Sequence, residues 1–382
     1  MQVLFCIFGK KVMANSASAR EVLRHFDLDL PTDIYGNGHI NTTYLVESTP
    51  RYILQRINTE VFKNPGEVMA NIQAVTAHLR KKIVQEGGDP ERETLTLIPT
   101  VDGKSYYRAP DGSCYRLYRF IEGAVSYDAA ETPEMFAASA HAFGKFQRML
   151  ADFPSGQLHE TIPHFHDTGD RLRQFREALA EDRMGRAASC QPEIAFVLAR
   201  AGEVNVVTDA IADGSVPLRV THNDTKLNNV MLDAESGEGV CVIDLDTVMP
   251  GSLLYDYGDS LRFGASTGAE DERDLSKISF DLTYFEAYTD AFLAELGSTV
   301  TPREVELLPF SAKLLTLECG MRFLTDHLNG DTYFRIHREN HNLDRCRTQF
   351  KLVSDIEGKM DRMAAIVARC CEKYGIKTSP KE

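Results

Sequence analysis

Residues 222–229 read His-Asn-Asp-Thr-Lys-Leu-Asn-Asn, and residues 241–246 read Cys-Val-Ile-Asp-Leu-Asp. Asp224 and Asn229 stand five positions apart, and Asp244 closes an apolar stretch twenty positions after Asp224. Phosphoryl transfer from ATP needs a carboxylate to orient or deprotonate an acceptor hydroxyl, and hard oxygen ligands to hold Mg2+ on the phosphates. These residues supply each part: Asp224 as the base, Asn229 and Asp244 as metal ligands, and Asp246 as a second candidate ligand at the same strand end. Lys226, two positions past the base, is suited to neutralising charge that develops on the transferring group. Either segment alone has an ordinary explanation, an Asx turn for His-Asn-Asp and a strand terminus for Ile-Asp-Leu-Asp. Their order along one chain is what points to chemistry.

The elements that must position these residues fall into two textures that change near Glu122-Gly123. Up to that point, short strands are expected at 33–35, 40–47, 51–58, 95–99, 105–109 and 114–121, broken by turn residues such as Gly36-Asn37-Gly38 and Pro110-Asp111-Gly112. A helix over 65–85 puts Val68, Ile72, Val75, Leu79 and Ile83 on one face behind Pro65. Beyond Gly123 the apolar spacing is helical, with starts at Thr132-Pro133 and at Thr301-Pro302-Arg303-Glu304, a capping box, and a stop at Asn329-Gly330. A strand-like island around 218–243 carries the chemical residues in its loops. The expected class is α+β, with an antiparallel-sheet unit over residues 1–122 and a mostly helical unit over 123–382.

The wording His222-Asn223-Asp224, Asn229, Ile243-Asp244 and Tyr255-Asp256-Tyr257-Gly258-Asp259 resembles the aminoglycoside phosphotransferase and choline kinase family, with Asn223 where that family usually has glycine. Over roughly residues 20–360 it is most similar to the N-acetylhexosamine 1-kinase branch. The resemblance implies a bilobal protein-kinase-like fold, ATP and Mg2+ as cofactors, and transfer of the γ-phosphate to the anomeric hydroxyl of N-acetylglucosamine or N-acetylgalactosamine. It also implies sugar-binding roles for Arg322 and Tyr333, and Asp259 is expected to brace the catalytic loop. Other acceptors in the same fold, such as homoserine, choline or an aminoglycoside, remain an alternative, as does a nucleotide-binding module without catalysis.

Further candidates follow from this frame. Gly36, Asn37 and Gly38 lie between two strands, where backbone N–H groups of a hairpin can meet nucleotide phosphates, and His39 and Asn41 on its rim are expected to face substrate. The third strand lacks the lysine usual in kinases of this fold. Alternation lets only one of Gln55 and Arg56 face the cleft, and charge favours Arg56, with Glu67 as a candidate acidic partner on the helix. His159, His164 and His166 read as a loop in preference to a metal site.

Composition limits the partners. The 382 residues carry a net charge of -14 and 43% hydrophobic residues, so nucleic acid and anionic membranes are poor partners, and the small-molecule sugar substrate is what the resemblance implies. Tryptophan, the best cation-π partner, is absent, which weighs against choline. Only fourteen residues separate Asp244 from Asp259, too few for the peptide-docking segment of a protein kinase. Eight cysteines without CxxC pairing fit a reducing, cytoplasmic setting, and the short apolar run over 3–8 lacks the form of an export signal. Met13 is a plausible natural start.

Overall fold

The computed structural model describes residues 16–36 and 40–378. Its N-terminal part is a six-stranded antiparallel sheet of β1 (Thr32–Ile34), β2 (Thr42–Val46), β3 (Tyr52–Ile57), β4 (Leu97–Ile98), β5 (Tyr107–Arg108) and β6 (Cys114–Arg119). The strand order is β1-β2-β3-β6-β4, with β5 also paired to β6. Side chains alternate across it. On one face Leu54 and Leu117 pack with Val22, Leu23 and Phe26, contributed by α1 (Ser16–Leu23) and the turn after it. On the other, Ile57 and Cys114 meet Val68, Ile72 and Val75 of α2 (Pro65–Gln85), in a core that runs on into the helical region. The five apolar positions expected on one face of α2 are all buried.

α3 (Pro90–Glu93) and β7 (Ala124–Val125) lead into the helical region, which opens with α4 (Pro133–Met149), capped by Thr132 as its sequence predicts. α5 (Thr168–Glu181), α6 (Gln191–Ala199) and α7 (Val206–Ala212) follow. The strand island forms two small sheets: β9 (Val230–Asp233) between β10 (Gly239–Val242) and β7, and β8 (Arg219–Thr221) with β11 (Met249–Gly251). The rest is α8 (Leu253–Gly264), α9 (Leu282–Leu296), α10 (Pro302–Leu328) and α11 (His341–Tyr374). α9 and the 34-residue α11 lie outside the segments expected from sequence.

Several contacts fasten the elements that carry the site. At the start of α10, Thr301 Oγ1 accepts from the Glu304 N–H at 3.2 Å and the Glu304 carboxylate accepts from the Thr301 N–H at 2.8 Å, completing the expected capping box. Glu304 also receives two hydrogen bonds from Arg219, at 2.6 and 2.7 Å, so the cap is tied to β8 and the loop after it. α8 lies so close to α10 that a Cβ on Gly258 would stand 2.5 Å from the Ser311 carbonyl oxygen. From α2, the Asn71 side chain donates to the carbonyls of His159 and Val248 at 2.8 and 2.9 Å and accepts from the His159 N–H at 2.8 Å. No helix among the described residues is long and apolar enough to cross a membrane.

Candidate active site

β8 delivers the chain into the loop that holds Asp224, and α8 holds that loop from beneath. The buried Asp256 carboxylate accepts the N–H groups of His222 and Asn223 at 2.9 and 2.7 Å and the Gln147 side-chain amide at 2.6 Å. Asn223 has a φ of 66°, a left-handed conformation that glycine adopts freely and asparagine at low cost. Its side chain donates to the carbonyls of Thr221 and Thr247 at 3.3 and 2.9 Å, hydrogen bonds that a glycine lacks. His222 links the two chemical segments: its Nδ1 accepts from the Asp224 N–H at 3.3 Å while Nε2 donates to the Ile243 carbonyl at 2.8 Å. Asp259 accepts from the Thr225 N–H at 3.2 Å, the contact of a brace.

Four of the expected residues stand around one charged centre. Lys226 Nζ lies 2.7 Å from Asp224 Oδ1; burial works against its charge, but Asp224 and Asp259 hold its pKa above the usual value. Asn229 spends its amide nitrogen on the Asp224 carbonyl and Oδ2 at 2.8 and 3.1 Å, leaving its amide oxygen as the remaining ligand atom. Burial, then the carboxylates of Asp246 and Asp224, push the Asp244 carboxyl up to about 6. That crowding of negative charge is what a bound cation relieves, and the hard oxygen donors of Asn229 and Asp244 fit Mg2+. No group of three His, Cys, Asp or Glu side chains among the described residues converges as a metal cage. A nucleotide-bound Mg2+ does not need one, because phosphates and water complete its shell.

Three expectations are corrected by the geometry. Asp246 is enclosed: one carboxylate oxygen is ion-paired with Arg116 and the other accepts from Asn41 Nδ2 at 2.6 Å, so it is a bridge between sheet and helical region in place of an open metal ligand. Asn41 is spent on that bridge and on the Asn58 N–H at 3.0 Å, and does not face substrate. Arg56 lies on the α1 side of the sheet and donates to Ser113 Oγ at 2.8 Å. The opposite face, toward α2, carries Gln55 and its register partner Arg116, whose guanidinium binds Gln55 Oε1 at 2.8 and 3.0 Å. Gly36, with a φ of 69°, turns the chain after β1; Asn37, Gly38 and His39 lie outside the described residues.

Arg322 and Tyr333 meet at a cavity of about 180 Å3, shared with Arg171, Asp326 and Phe334. The Arg322 guanidinium stands 5.8 and 5.5 Å from the Tyr333 and Phe334 ring centroids. Asp326 shapes the loop that carries Tyr333 by accepting the N–H groups of Thr332, Tyr333 and Phe334 at 2.9, 2.8 and 2.9 Å. One buried histidine ties α10, the helix that carries Arg322, to the catalytic loop. His166 Nε2 bonds to the Asn223 carbonyl at 3.0 Å and Nδ1 to Glu318, one helical turn before Arg322, at 2.9 Å. Burial opposes its charge, yet Glu318 raises its pKa, so a protonated ring can donate from both nitrogens.

Residues 34–296 match the phosphotransferase enzyme family, well over half of the chain. The chain belongs to that family. Solved structures give the same fold at low identity. A microcompartment-associated aminopropanol kinase is 16% identical with a TM-score of 0.63, over 92% of this phosphotransferase and 99% of that chain. A spectinomycin phosphotransferase solved with ADP and spectinomycin is 13% identical with a TM-score of 0.56, over 91% and 99%. A choline/ethanolamine kinase family protein from Mesorhizobium loti is 16% identical with a TM-score of 0.52, over 89% and 92%. These likenesses support the protein-kinase-like α+β architecture of an antiparallel sheet followed by helices.

Behind the brace of this phosphotransferase lies a second layer of charge. Arg262 pairs with Asp259 at 2.8 Å and with Glu270 at 3.1 Å, and Arg345 Nε is 4.0 Å from Glu270. Burial outweighs both guanidiniums and pushes the Glu270 carboxyl up to about 7, from an ordinary 4.5. Between those values the folded chain keeps a proton that the unfolded chain has released, so this group lowers stability as pH rises through the window. Glu270→Gln should therefore gain on the parent protein by on the order of 1 to 3 kcal/mol between pH 5 and pH 7.5, in urea unfolding at both values. A difference that does not change with pH would show that Arg262 and Arg345 keep Glu270 ionised throughout.

Proposed function

We propose that this phosphotransferase moves the γ-phosphate of ATP to the anomeric C1 hydroxyl of an N-acetylhexosamine, giving the sugar 1-phosphate and ADP. The observation that carries the reading is the meeting of Arg322 and Tyr333 at one cavity, with Arg322 on the helix that Glu318 and His166 tie to the loop that holds Asp224. Asp224 orients the acceptor hydroxyl and takes its proton. Lys226, 2.7 Å from Asp224, balances charge on the group in flight. Asn229 and Asp244 would hold Mg2+, which neutralises the nucleotide phosphates when bound. Catalysis then rests mainly on positioning and charge, because a loose phosphoryl transition state asks for little covalent help.

The test is Mg-ATP-dependent ADP release over N-acetylglucosamine, N-acetylgalactosamine, unmodified hexoses, choline and homoserine, with phosphorus NMR to locate the phosphate. The expected result is turnover of the N-acetylhexosamines and a phosphate on C1. Turnover of choline or homoserine alone, or a phosphate on C6, overturns it.

A further inference from the structure

Two cationic side chains, Arg171 from α5 and Arg322 from α10, line the same cavity. Several buried arginines among the described residues are closely matched by carboxylates: Arg116 with Asp246, Arg219 with Glu304, Arg262 with Asp259 and Glu270. Arg171 differs. Its Nη2 donates to the Phe165 carbonyl at 2.8 Å, its Nη1 reaches Gln174 Oε1 at 3.4 Å, and its Nε is buried with no hydrogen-bond partner.

The nearby acids are already occupied. Glu318 is held by His166 and Thr168, at 2.9 and 2.7 Å. Asp326 is taken up by three backbone N–H groups and by Asn342 Nδ2 at 2.9 Å, and Asp170 by Arg173 and Gln174, both at 2.6 Å. Burial, and then the charge of Arg322, depress the Arg171 pKa, while for Arg322 burial is outweighed by Tyr333, Cys319 and Glu318, which hold it above its usual value. The Arg171 Nε, buried without a partner, is costly until a group with acceptor lone pairs enters, and a desolvated ammonium group entering the same cavity meets repulsion from both guanidiniums.

We propose that Arg171 is a specificity-determining residue which, with Arg322, grips an oxygen acceptor of the substrate and excludes acceptors that carry an ammonium group there. Identifying that oxygen as the acyl carbonyl of an N-acetylhexosamine rests on the function proposed above. The guanidinium pair itself does not.

Two measurements decide it. In the first, kcat/KM is compared for N-acetylglucosamine and glucosamine, a neutral and a cationic version of one sugar. The parent protein should favour the acetylated sugar by more than tenfold; Arg171→Gln should cut that ratio at least tenfold, mainly through KM, and Arg171→Lys should keep most of it. Arg173→Gln, on the same helix but exposed and paired with Asp170 and Glu177, should leave the ratio unchanged. An equal loss for both sugars in Arg171→Gln overturns the proposal. The second measurement needs no sugar: sulfate, compared with chloride at equal ionic strength, should raise the Tm of the parent protein and raise it less in Arg171→Gln. A sulfate effect that is identical in the two proteins also overturns the proposal. Loss of the sulfate effect in a protein that phosphorylates no hexosamine would leave the guanidinium pair standing and remove only the sugar reading.

Discussion

Asp224→Asn should lower kcat by about a thousandfold or more while ATP binding stays within a few-fold of the parent protein, because a base contributes roughly 10²–10⁴ to proton transfer. The substitution keeps the shape that Asn229 contacts at 3.1 Å and removes the charge that pairs with Lys226 at 2.7 Å. Asp256 continues to hold the N–H groups of His222 and Asn223, so the loop keeps its form. Steady-state kinetics with calorimetry of ATP binding separates the two effects. Parent-like kcat in this variant would remove Asp224 from the reaction and with it the mechanism above.

Arg116→Met should cost about 3 to 5 kcal/mol of stability, the usual result of leaving one member of a buried ion pair uncompensated. Arg116 and Asp246 have side chains only 1% and 3% exposed, and without the guanidinium the Asp246 charge keeps the Asn41 amide as its side-chain partner. Arg56→Met, on the other face of the same sheet, should cost about 1 kcal/mol or less, since it gives up one hydrogen bond to Ser113. Replacing both partners of the bridge with apolar residues should recover part of the loss. Equal costs for Arg116→Met and Arg56→Met in urea unfolding would mean that the bridge does not hold sheet and helices together.

Sequence order made the centre of the site readable, because Asp224, Lys226 and Asn229 lie within six residues and Asp244 follows one hairpin later. Helix starts were readable for the same reason: Thr301 and Glu304 announce their own cap. Arg116 was not readable, since its partner is 130 positions away and its face depends on the pairing of β3 with β6. The same pairing decides against Arg56. Asp256 belonged to a recognisable cluster, yet nothing local shows that it holds the backbone of a loop more than thirty positions earlier. α11 carried its signal in plain view, with Leu343, Cys346, Phe350, Val353 and Ile356 buried at helical spacing.

Sheet side and helical region meet at two buried polar points besides the shared core, within a more exposed rim of ion pairs: Glu86 with Arg148, Lys82 with Asp152, Glu93 with Lys145 and Arg92 with Asp233. One buried point is Asp246 with Arg116 and Asn41; the other is Asn71 with the backbone of His159 and Val248. Those rim pairs can exchange a partner for water at little cost, whereas parting the two regions at Asn71 or Asp246 breaks hydrogen bonds buried from water. Asn71 and Asp246 are therefore the rivets between the two regions, and the rim pairs add little to their hold.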